Sequence, residues 1–290
     1  GQMSCFQVRT DLALEARESI KESEDGIRGV RVEETYDEEN EIKVTKVVIE
    51  TKNGAKAMGK PMGIYVTLEA PGMVEPEENY HQEISSELAR QLKGIIPDAE
   101  KEQSVLIVGL GNRDVTADAL GPNVADNLFI TRHVVKEYGK AAYNKSRMHM
   151  VSSIVPGVMA KTGMESAEII KGVVEQTKPD VVIVIDALAA RSTKRLNRTI
   201  QITNTGIHPG SGVGNHRNAL TKDSLEVPVI AIGVPTVVDA ATIVNDALAD
   251  KAPMNLTELN NMYVTSKDVD YQVKQISHII CDAINEALEL

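Results

Sequence analysis

The hydrophobic pattern of this 290-residue chain alternates between short apolar runs and stretches with helical spacing. The continuous run Val181–Ile185 is typical of a strand that is covered on both faces, and Ser104–Val108 and Val229–Val234 resemble it. Between such runs, apolar residues recur every three to four positions, as on the buried side of a helix. This order predicts a doubly wound, largely parallel α/β sheet flanked by helices.

The first part of the chain has a different pattern. Residues 16–40 are polar and acidic, which predicts a helix end followed by an exposed connection. Ile42–Glu50 and Ile64–Glu69 are β-rich and are separated by the turn-forming residues Asn53-Gly54 and Gly59-Lys60-Pro61. We therefore expect a small antiparallel β unit within residues 40–75. Helical spacing predicts long helices over Glu78–Ile96 and Lys267–Leu290.

Composition excludes several classes of function. The net charge of −11 would repel a polyanion, so we expect no direct nucleic-acid partner. No run approaches the roughly 18 apolar residues of a membrane span, and no apolar signal segment is visible, which predicts a cytoplasmic protein. Cys5 and Cys281 lie outside any CxxC or Cys/His cluster, so the sequence predicts no structural zinc site and no obligatory cofactor.

The candidate chemistry lies after the predicted strands, because α/β sheets bind ligands beyond the carboxyl ends of their strands. Asp118 lies in the loop after Ser104–Val108, and Asp186 directly follows Val181–Ile185. Taken singly, either aspartate is explained as well by a cap or a turn. Two carboxylates at adjacent strand ends push their pKa values apart, which suits general acid–base hydrolysis with a bound water. The same pair suits a divalent metal, with His208 as a third ligand.

Other residues of these loops are candidates for supporting roles. Asn112, Gly210 and Gly212 lie in Gly-rich segments whose backbone amides can stabilise an oxyanion or clamp a substrate, and Arg191 can lower the pKa of Asp186. Gly109-Leu-Gly-Asn begins like a dinucleotide fingerprint. Asp114 stands where the third glycine would be, however, so we reject NAD binding.

Several ordered blocks of the sequence are distinctive, and they run along nearly the whole chain. They are Val8–Ala16, Tyr65–Glu69, Val108–Asn112, Asp118–Pro122, Thr131–His133, Val155–Met159, Ile185–Arg191, Gly206–Asn215 and Ile230–Asp239. Together these blocks resemble the germination proteases of spore-forming bacteria.

The resemblance implies an endopeptidase that degrades small acid-soluble spore proteins during germination, in the spore core or forespore. It also implies a fold similar to that of hydrogenase-maturation endopeptidases, a homotetramer, and synthesis as a zymogen that cuts its own Asp11–Leu12 bond. Residues 1–11 would then be a propeptide-like segment and residues 12–290 a single peptidase domain. The proposed catalytic aspartates of the family correspond to Asp118 and Asp186.

Two other functions fit the residues less directly. One is a metal-dependent endopeptidase that uses Asp118, Asp186 and His208. The other is a non-catalytic tetrameric scaffold with the same fold.

Overall fold

The computed structural model describes residues 9–20, 27–208, 210–214, 218–248 and 258–290. A 3₁₀ turn spans Thr116–Asp118. The strands are β1 Val30–Asp37, β2 Ile42–Ile49, β3 Gly63–Glu69, β4 Ser104–Gly109, β5 Met150–Ile154, β6 Val181–Ala190, β7 Thr199–Thr203, β8 Val229–Asp239 and β9 Tyr263–Val264. The α-helices are α1 Ala13–Glu18, α2 Lys52–Met58, α3 Glu78–Ile95, α4 Leu120–Asp126, α5 Arg132–Tyr138, α6 Met159–Thr162, α7 Ser166–Thr177, α8 Lys222–Leu225, α9 Ala240–Ala247 and α10 Val269–Ala287.

These strands form one mixed sheet in the order β1-β2-β3-β7-β8-β6-β4-β5, and β9 pairs with the end of β8. Strands β5, β4, β6 and β8 are parallel, and β5 forms one edge of the sheet. From β8 outward, β7, β3, β2 and β1 continue the sheet through antiparallel pairs. The chain places β5 on one side of β4 and then returns to add β6 and β8 on the other side. The predicted doubly wound α/β fold is therefore confirmed, with a strand-order reversal between β4 and β6.

Helices cover both faces of the sheet. On one face, α3 and α10 pack over apolar side chains of β4, β6, β7 and β8. On the other face, α7 packs over β4 and β6, and the short helix α1 packs over β2 and β3. The apolar stripe predicted near the C-terminus is buried in α10. No helix in the described ranges is long and apolar enough to cross a membrane.

Strand β1 lies where the sequence predicted an exposed connection. It pairs with β2 along its whole length, but nearly all of its residues are exposed because it is an edge strand. Charged side chains reach across the pair, with Lys43 Nζ 3.5 Å from Glu34 and Arg31 3.7 Å from Glu50. The prediction of a loop is therefore wrong for Val30–Asp37. The charged composition of this segment is typical of an edge strand. Residues 21–26 of the predicted connection lie outside the described ranges.

The predicted N-terminal antiparallel strands are present, but β2 and β3 are joined by helix α2 instead of turns. Thr51 Oγ1 caps this helix by accepting the Gly54 N–H at 3.0 Å, and Gly59 ends it with a φ of 65°. Strand β3 pairs with β7, so residues 40–75 extend the main sheet and do not form a separate unit.

Strand β6 continues past the apolar run to Ala190, so Asp186 lies inside the strand and not beyond its end. Two neighbours maintain the extended backbone. Strand β8 pairs with β6 as far as Ala190, and the N-terminal segment donates the Asp11 N–H to the Ala189 carbonyl oxygen at 2.9 Å. The carboxylate in the sequence therefore marks a buried polar position within the sheet.

Candidate active site

The loop after β4 folds back on itself and buries Asp118 at the carboxyl end of that strand. The Asn112 N–H donates both to the carbonyl oxygen of Asp118, at 2.9 Å, and to its Oδ2, at 3.2 Å. Gly111 has a φ of 127°, and a Cβ there would lie 2.0 Å from the same carbonyl oxygen, so this approach requires glycine. The Thr236 hydroxyl donates to the Ala117 carbonyl oxygen at 2.6 Å and ties the Asp118 turn to β8.

Asp186 lies on the neighbouring strand β6 and is 1% exposed. The N–H of Ala187 donates to its Oδ1 at 2.9 Å. Beside it, the Leu110 N–H donates to the Ile185 carbonyl oxygen at 2.9 Å, so the Asp118 loop begins next to Asp186. The two predicted aspartates thus flank the strand-order reversal, where open α/β sheets commonly bind ligands.

A Gly-rich loop, described over residues 210–214, lies next to both aspartates. The Val213 N–H donates to the carbonyl oxygen of Ala187, the residue after Asp186, at 3.2 Å. A Cβ on Gly214 would lie 3.5 Å from Oδ2 of Asp118. The loop therefore lies against β6 and against the turn that carries Asp118. Pro209 and residues 215–217, which belong to the same predicted loop, lie outside the described ranges.

A cavity of about 230 Å³ opens beside Asp118. Its walls come from the loops after β4 and β5, the N-terminus of α7 and the Gly-rich loop. Two polar contacts link these walls, one between Lys161 and Asp114 and the other between Asn218 and Glu165. Principal lining residues are Gly111, Asp118, Gly157, Met159, Glu165 and Gly214.

Two predicted supporting groups have other partners. The Arg191 guanidinium donates two hydrogen bonds to Asp246, at 3.0 and 3.1 Å, because the extension of β6 carries it away from Asp186. The prediction that Arg191 supports Asp186 is therefore wrong. The backbone N–H of Asn112 is engaged by Asp118, and its Oδ1 accepts the Asp114 N–H at 2.9 Å, so it shapes the loop.

His208 does not line the Asp118 cavity. Its Nε2 lies 2.9 Å from the Thr205 carbonyl oxygen, and its side chain lines a second cavity of about 280 Å³ together with Asp11. In the ranges that the structure describes, no three His, Cys, Asp or Glu side chains are grouped to hold a metal ion. The predicted trio of Asp118, Asp186 and His208 is thus not assembled in the described structure.

The N-terminal segment crosses the same sheet face beside β6, where Asp11 is held at both its backbone and its carboxylate. Oδ2 of Asp11 accepts the Ala189 N–H at 2.8 Å and the Gly212 N–H at 3.1 Å. Arg9 lies 3.8 Å from the same oxygen and also donates to the Gly212 carbonyl oxygen. Gly212 therefore holds the chain's own Asp11 and Arg9 through its backbone N–H and carbonyl oxygen. Gly210, with a φ of 86°, lines the adjoining cavity.

Leu12 and Glu15 fix the segment that follows Asp11. Leu12 is fully buried in an apolar cluster with Leu188, Ala190 and Val238. Glu15 is 1% exposed, and its carboxylate accepts hydrogen bonds from four groups. The donors are the Thr10 hydroxyl at 2.6 Å, the Arg191 N–H at 2.7 Å, the Ser192 N–H at 3.0 Å and Arg195 Nη1 at 3.1 Å.

Two basic side chains accompany this segment. Lys60 Nζ donates to the Thr10 carbonyl oxygen at 2.9 Å, and burial lowers the pKa of Lys60 despite the nearby Asp11 carboxylate. Arg9 also approaches Asp239 at 3.7 Å. Burial raises the pKa of Asp239, and the charge of Asp11 adds to this rise while Arg9 opposes it. Arg9, Lys60 and Asp11 all line the second cavity, so its wall carries charges of both signs.

Sequence reasoning missed Gln201, which lies on β7 and is 6% exposed. Its Nε2 donates to the Asp11 carbonyl oxygen at 3.2 Å, and its Oε1 accepts the Ala13 N–H at 2.9 Å. The available signal was a polar residue at an inward position of a strand, Thr199–Thr203, that alternates apolar and polar residues.

The fold and the site define a class of protein: an α/β protein with two buried aspartates at the strand-order reversal and its own N-terminal segment bound nearby. The chain belongs to the germination protease family, whose family model matches residues 8–250. Family membership supports a protease that acts in spore germination.

Individual relatives agree with this assignment along the chain. It is 46% identical to the germination protease of Caldanaerobacter subterraneus subsp. tengcongensis, over 97% of this chain and 94% of that protein. It is 44% identical to that of Clostridium perfringens strain ATCC 13124, over 98% of this chain and 96% of the relative. Among solved structures, the [NiFe] hydrogenase maturation protease HycI from Thermococcus kodakarensis is 16% identical with a TM-score of 0.35, covering 67% of this chain and 99% of that one.

Proposed function

We propose that the chain is a self-processing endopeptidase that starts the degradation of small acid-soluble spore proteins in the germinating spore core. In this proposal it is made as a zymogen, cuts its Asp11–Leu12 bond, and hydrolyses peptides with a water activated by Asp118 and Asp186. The active form is a homotetramer. The observation that carries the proposal is the burial of both aspartates beside the carboxyl end of β4, with Asp186 on a sheet face that also binds the N-terminal segment.

The proposed chemistry divides two roles between the aspartates. The ionised carboxylate removes a proton from the attacking water, and the protonated one polarises the scissile carbonyl group. Asp118 borders the 230 Å³ cavity, whereas Asp186 is almost completely shielded from solvent. A difference in environment of this kind is what separates the pKa values of two carboxyl groups.

The proposed zymogen role rests on the contacts of residues 9–15. Asp186 and Leu188 point to the same face of β6, because side chains alternate along a strand. Leu12 packs on Leu188, and Asp11 is bound by Ala189. The segment thus behaves as a bound peptide that carries its own proposed cleavage bond.

The test uses Asp118→Asn and Asp186→Asn, with Asp282→Asn as the matched control. Asp282 is an exposed aspartate of α10 and takes no part in the cavity of Asp118. Mass spectrometry follows the loss of residues 1–11, and gel analysis follows cleavage of a purified small acid-soluble spore protein. We expect each active-site variant to lose roughly 10²–10⁴-fold in rate while the control keeps it. Wild-type rates in either variant would refute the aspartate pair.

The metal-dependent alternative is tested in the same assay after exhaustive chelation. An unchanged rate supports a water held by the aspartates alone. A loss that a divalent cation restores, together with a comparable loss in His208→Ala, would support the alternative instead.

A further inference from the structure

The proposed processing bond has hydrogen-bond partners on both of its polar groups. The Leu12 N–H donates to Thr10 Oγ1 at 3.1 Å. The Asp11 carbonyl oxygen accepts a hydrogen bond from Gln201 Nε2 at 3.2 Å. If Asp11–Leu12 is the bond that is cut, as the proposed function holds, Gln201 contacts the oxygen on which negative charge develops during attack.

The orientation of the Gln201 amide follows from its second partner. The Ala13 N–H can only donate, and it lies 2.9 Å from Oε1 of Gln201. Oε1 must therefore face Ala13, which directs Nε2 toward the Asp11 carbonyl oxygen. Gln201 is 6% exposed, and both Oε1 and Nε2 of its amide are hydrogen-bonded. The side chain is therefore preorganised as a donor.

Strand register places Gln201 and Asp186 in one row across the sheet. Gly233 of β8 pairs with Gln201 of β7 on one side and with Asp186 of β6 on the other. Residues in register share a face, and two strand spacings separate the two Cα atoms by about 10 Å. The residue between them has no side chain of its own, and the Leu188 side chain fills that space, because a Cβ on Gly233 would clash with it. Gln201 and Asp186 therefore lie on either side of Leu188, on which Leu12 packs.

Two backbone amides that the sequence suggested for the oxyanion have other partners. The Asn112 N–H donates to Asp118, and the Gly212 N–H donates to the carboxylate of Asp11.

We propose that Gln201 is a catalytic residue of self-processing that stabilises the oxyanion formed on Asp11. Water forms a bond to the Asp11 carbonyl carbon and gives a proton to a carboxylate of the aspartate pair. The bond to the Leu12 nitrogen then breaks, and that nitrogen takes up a proton, which leaves a new carboxyl group on Asp11 and an amine on Leu12. Gln201 donates a hydrogen bond throughout and transfers no proton.

The test compares Gln201→Glu with the wild type in the full-length chain. Glutamate has nearly the same shape and keeps an acceptor for the Ala13 N–H, but its ionised form cannot donate to the carbonyl oxygen. We expect self-processing, followed by mass spectrometry, to slow by roughly 10²–10³-fold near pH 7, the usual effect of removing one oxyanion donor. As pH falls and the new carboxyl group is protonated, it regains a donor, so the variant-to-wild-type rate ratio rises.

Thr199→Val is the matched control, because Thr199 lies on the same strand and face and its hydroxyl has no hydrogen-bond partner in the described part of the chain. It should process at the wild-type rate. If thermal unfolding shows that Gln201→Glu is not folded, Gln201→Met is used in its place. Wild-type processing by a folded Gln201 variant would overturn the proposal for Gln201 alone. A wild-type chain that never loses residues 1–11 would overturn self-processing and this inference with it.

Discussion

Replacing Glu15 with glutamine should destabilise the protein far more than replacing its neighbour Glu18. Both carboxylates bind Arg195, but only Glu15 is buried. Its Oε1 accepts from the Thr10 hydroxyl and the Arg191 N–H, and its Oε2 accepts from the Ser192 N–H and Arg195. Glutamine offers one acceptor oxygen and one NH₂ group. In the less costly orientation the NH₂ group faces the Thr10 hydroxyl, which can turn to accept, and the Arg191 N–H, which cannot.

The magnitude follows from those contacts. At least one hydrogen bond to a charged acceptor is lost, that of the Arg191 N–H, at about 1.5–3 kcal/mol. Breaking a buried ion pair by changing one partner typically costs about 3–5 kcal/mol. Arg195 keeps Glu18 and Glu69 as partners, which limits its own loss. We therefore expect the free energy of unfolding to fall by about 3–4 kcal/mol in Glu15→Gln.

Urea unfolding of the full-length chain, followed by circular dichroism, measures this difference. Glu18→Gln is the control, because its carboxylate is 52% exposed and pairs of that kind contribute about 1 kcal/mol or less. Equal losses in the two variants, or a loss below about 0.5 kcal/mol in Glu15→Gln, would refute the claim that the buried carboxylate anchors α1.

Two further predictions concern the loop of Asp118 and a buried histidine. Gly111→Ala should lower the free energy of unfolding by at least about 3 kcal/mol and abolish proteolysis, because the new Cβ would meet the Asp118 carbonyl oxygen. The control Gly94→Ala should be tolerated, because a Cβ there meets nothing within 4 Å. Thermal unfolding and activity assays measure both variants. His149 accepts the Gln103 N–H on Nδ1, and burial followed by the charge of Arg147 lowers the pKa of His149. The neutral form is thus favoured in the folded state, so its stability contribution is complete above the unfolded pKa of about 6.5 and is lost as pH falls below it. The urea midpoint should therefore change less with pH around 6.5 in His149→Gln than in the wild type. An equal change with pH in the two proteins would contradict the claim that His149 is neutral in the folded state.

The central strands were predictable because their burial determines which residues they contain. Val181–Ile185 and Val229–Val234 are buried on both faces, and only apolar side chains fit there. Strand β1 was not predictable in this way. Its side chains face solvent on both sides, so its sequence reflects exposure, and only pairing with β2 makes it a strand.

The two aspartates were predictable for a related reason. A carboxylate that interrupts or follows a buried strand conflicts with its surroundings, and such conflicts are common at functional positions. Gln201 offered a weaker signal. Its importance depends on Ala13 and Asp11, which are 188 and 190 residues away in the chain. The contacts of Asp11 with Ala189 and Gly212 use backbone amides, which no side-chain pattern records.

The contacts on the two sides of the Asp11–Leu12 bond are unequal, and this has a consequence for the proposed zymogen. Leu12 is buried in an apolar cluster within the folded chain. Glu15 accepts a hydrogen bond from the Arg191 N–H, just after the end of β6. Upstream, residues 9–11 are held mainly by polar contacts of Arg9 and Asp11. While the peptide bond is intact, those polar contacts form at the high effective concentration of a tethered segment, and a cut removes that advantage. Cleavage would therefore release the upstream segment and leave α1 in place. The departure of Asp11 would expose the Gly212 N–H and Gln201 Nε2 to the next peptide.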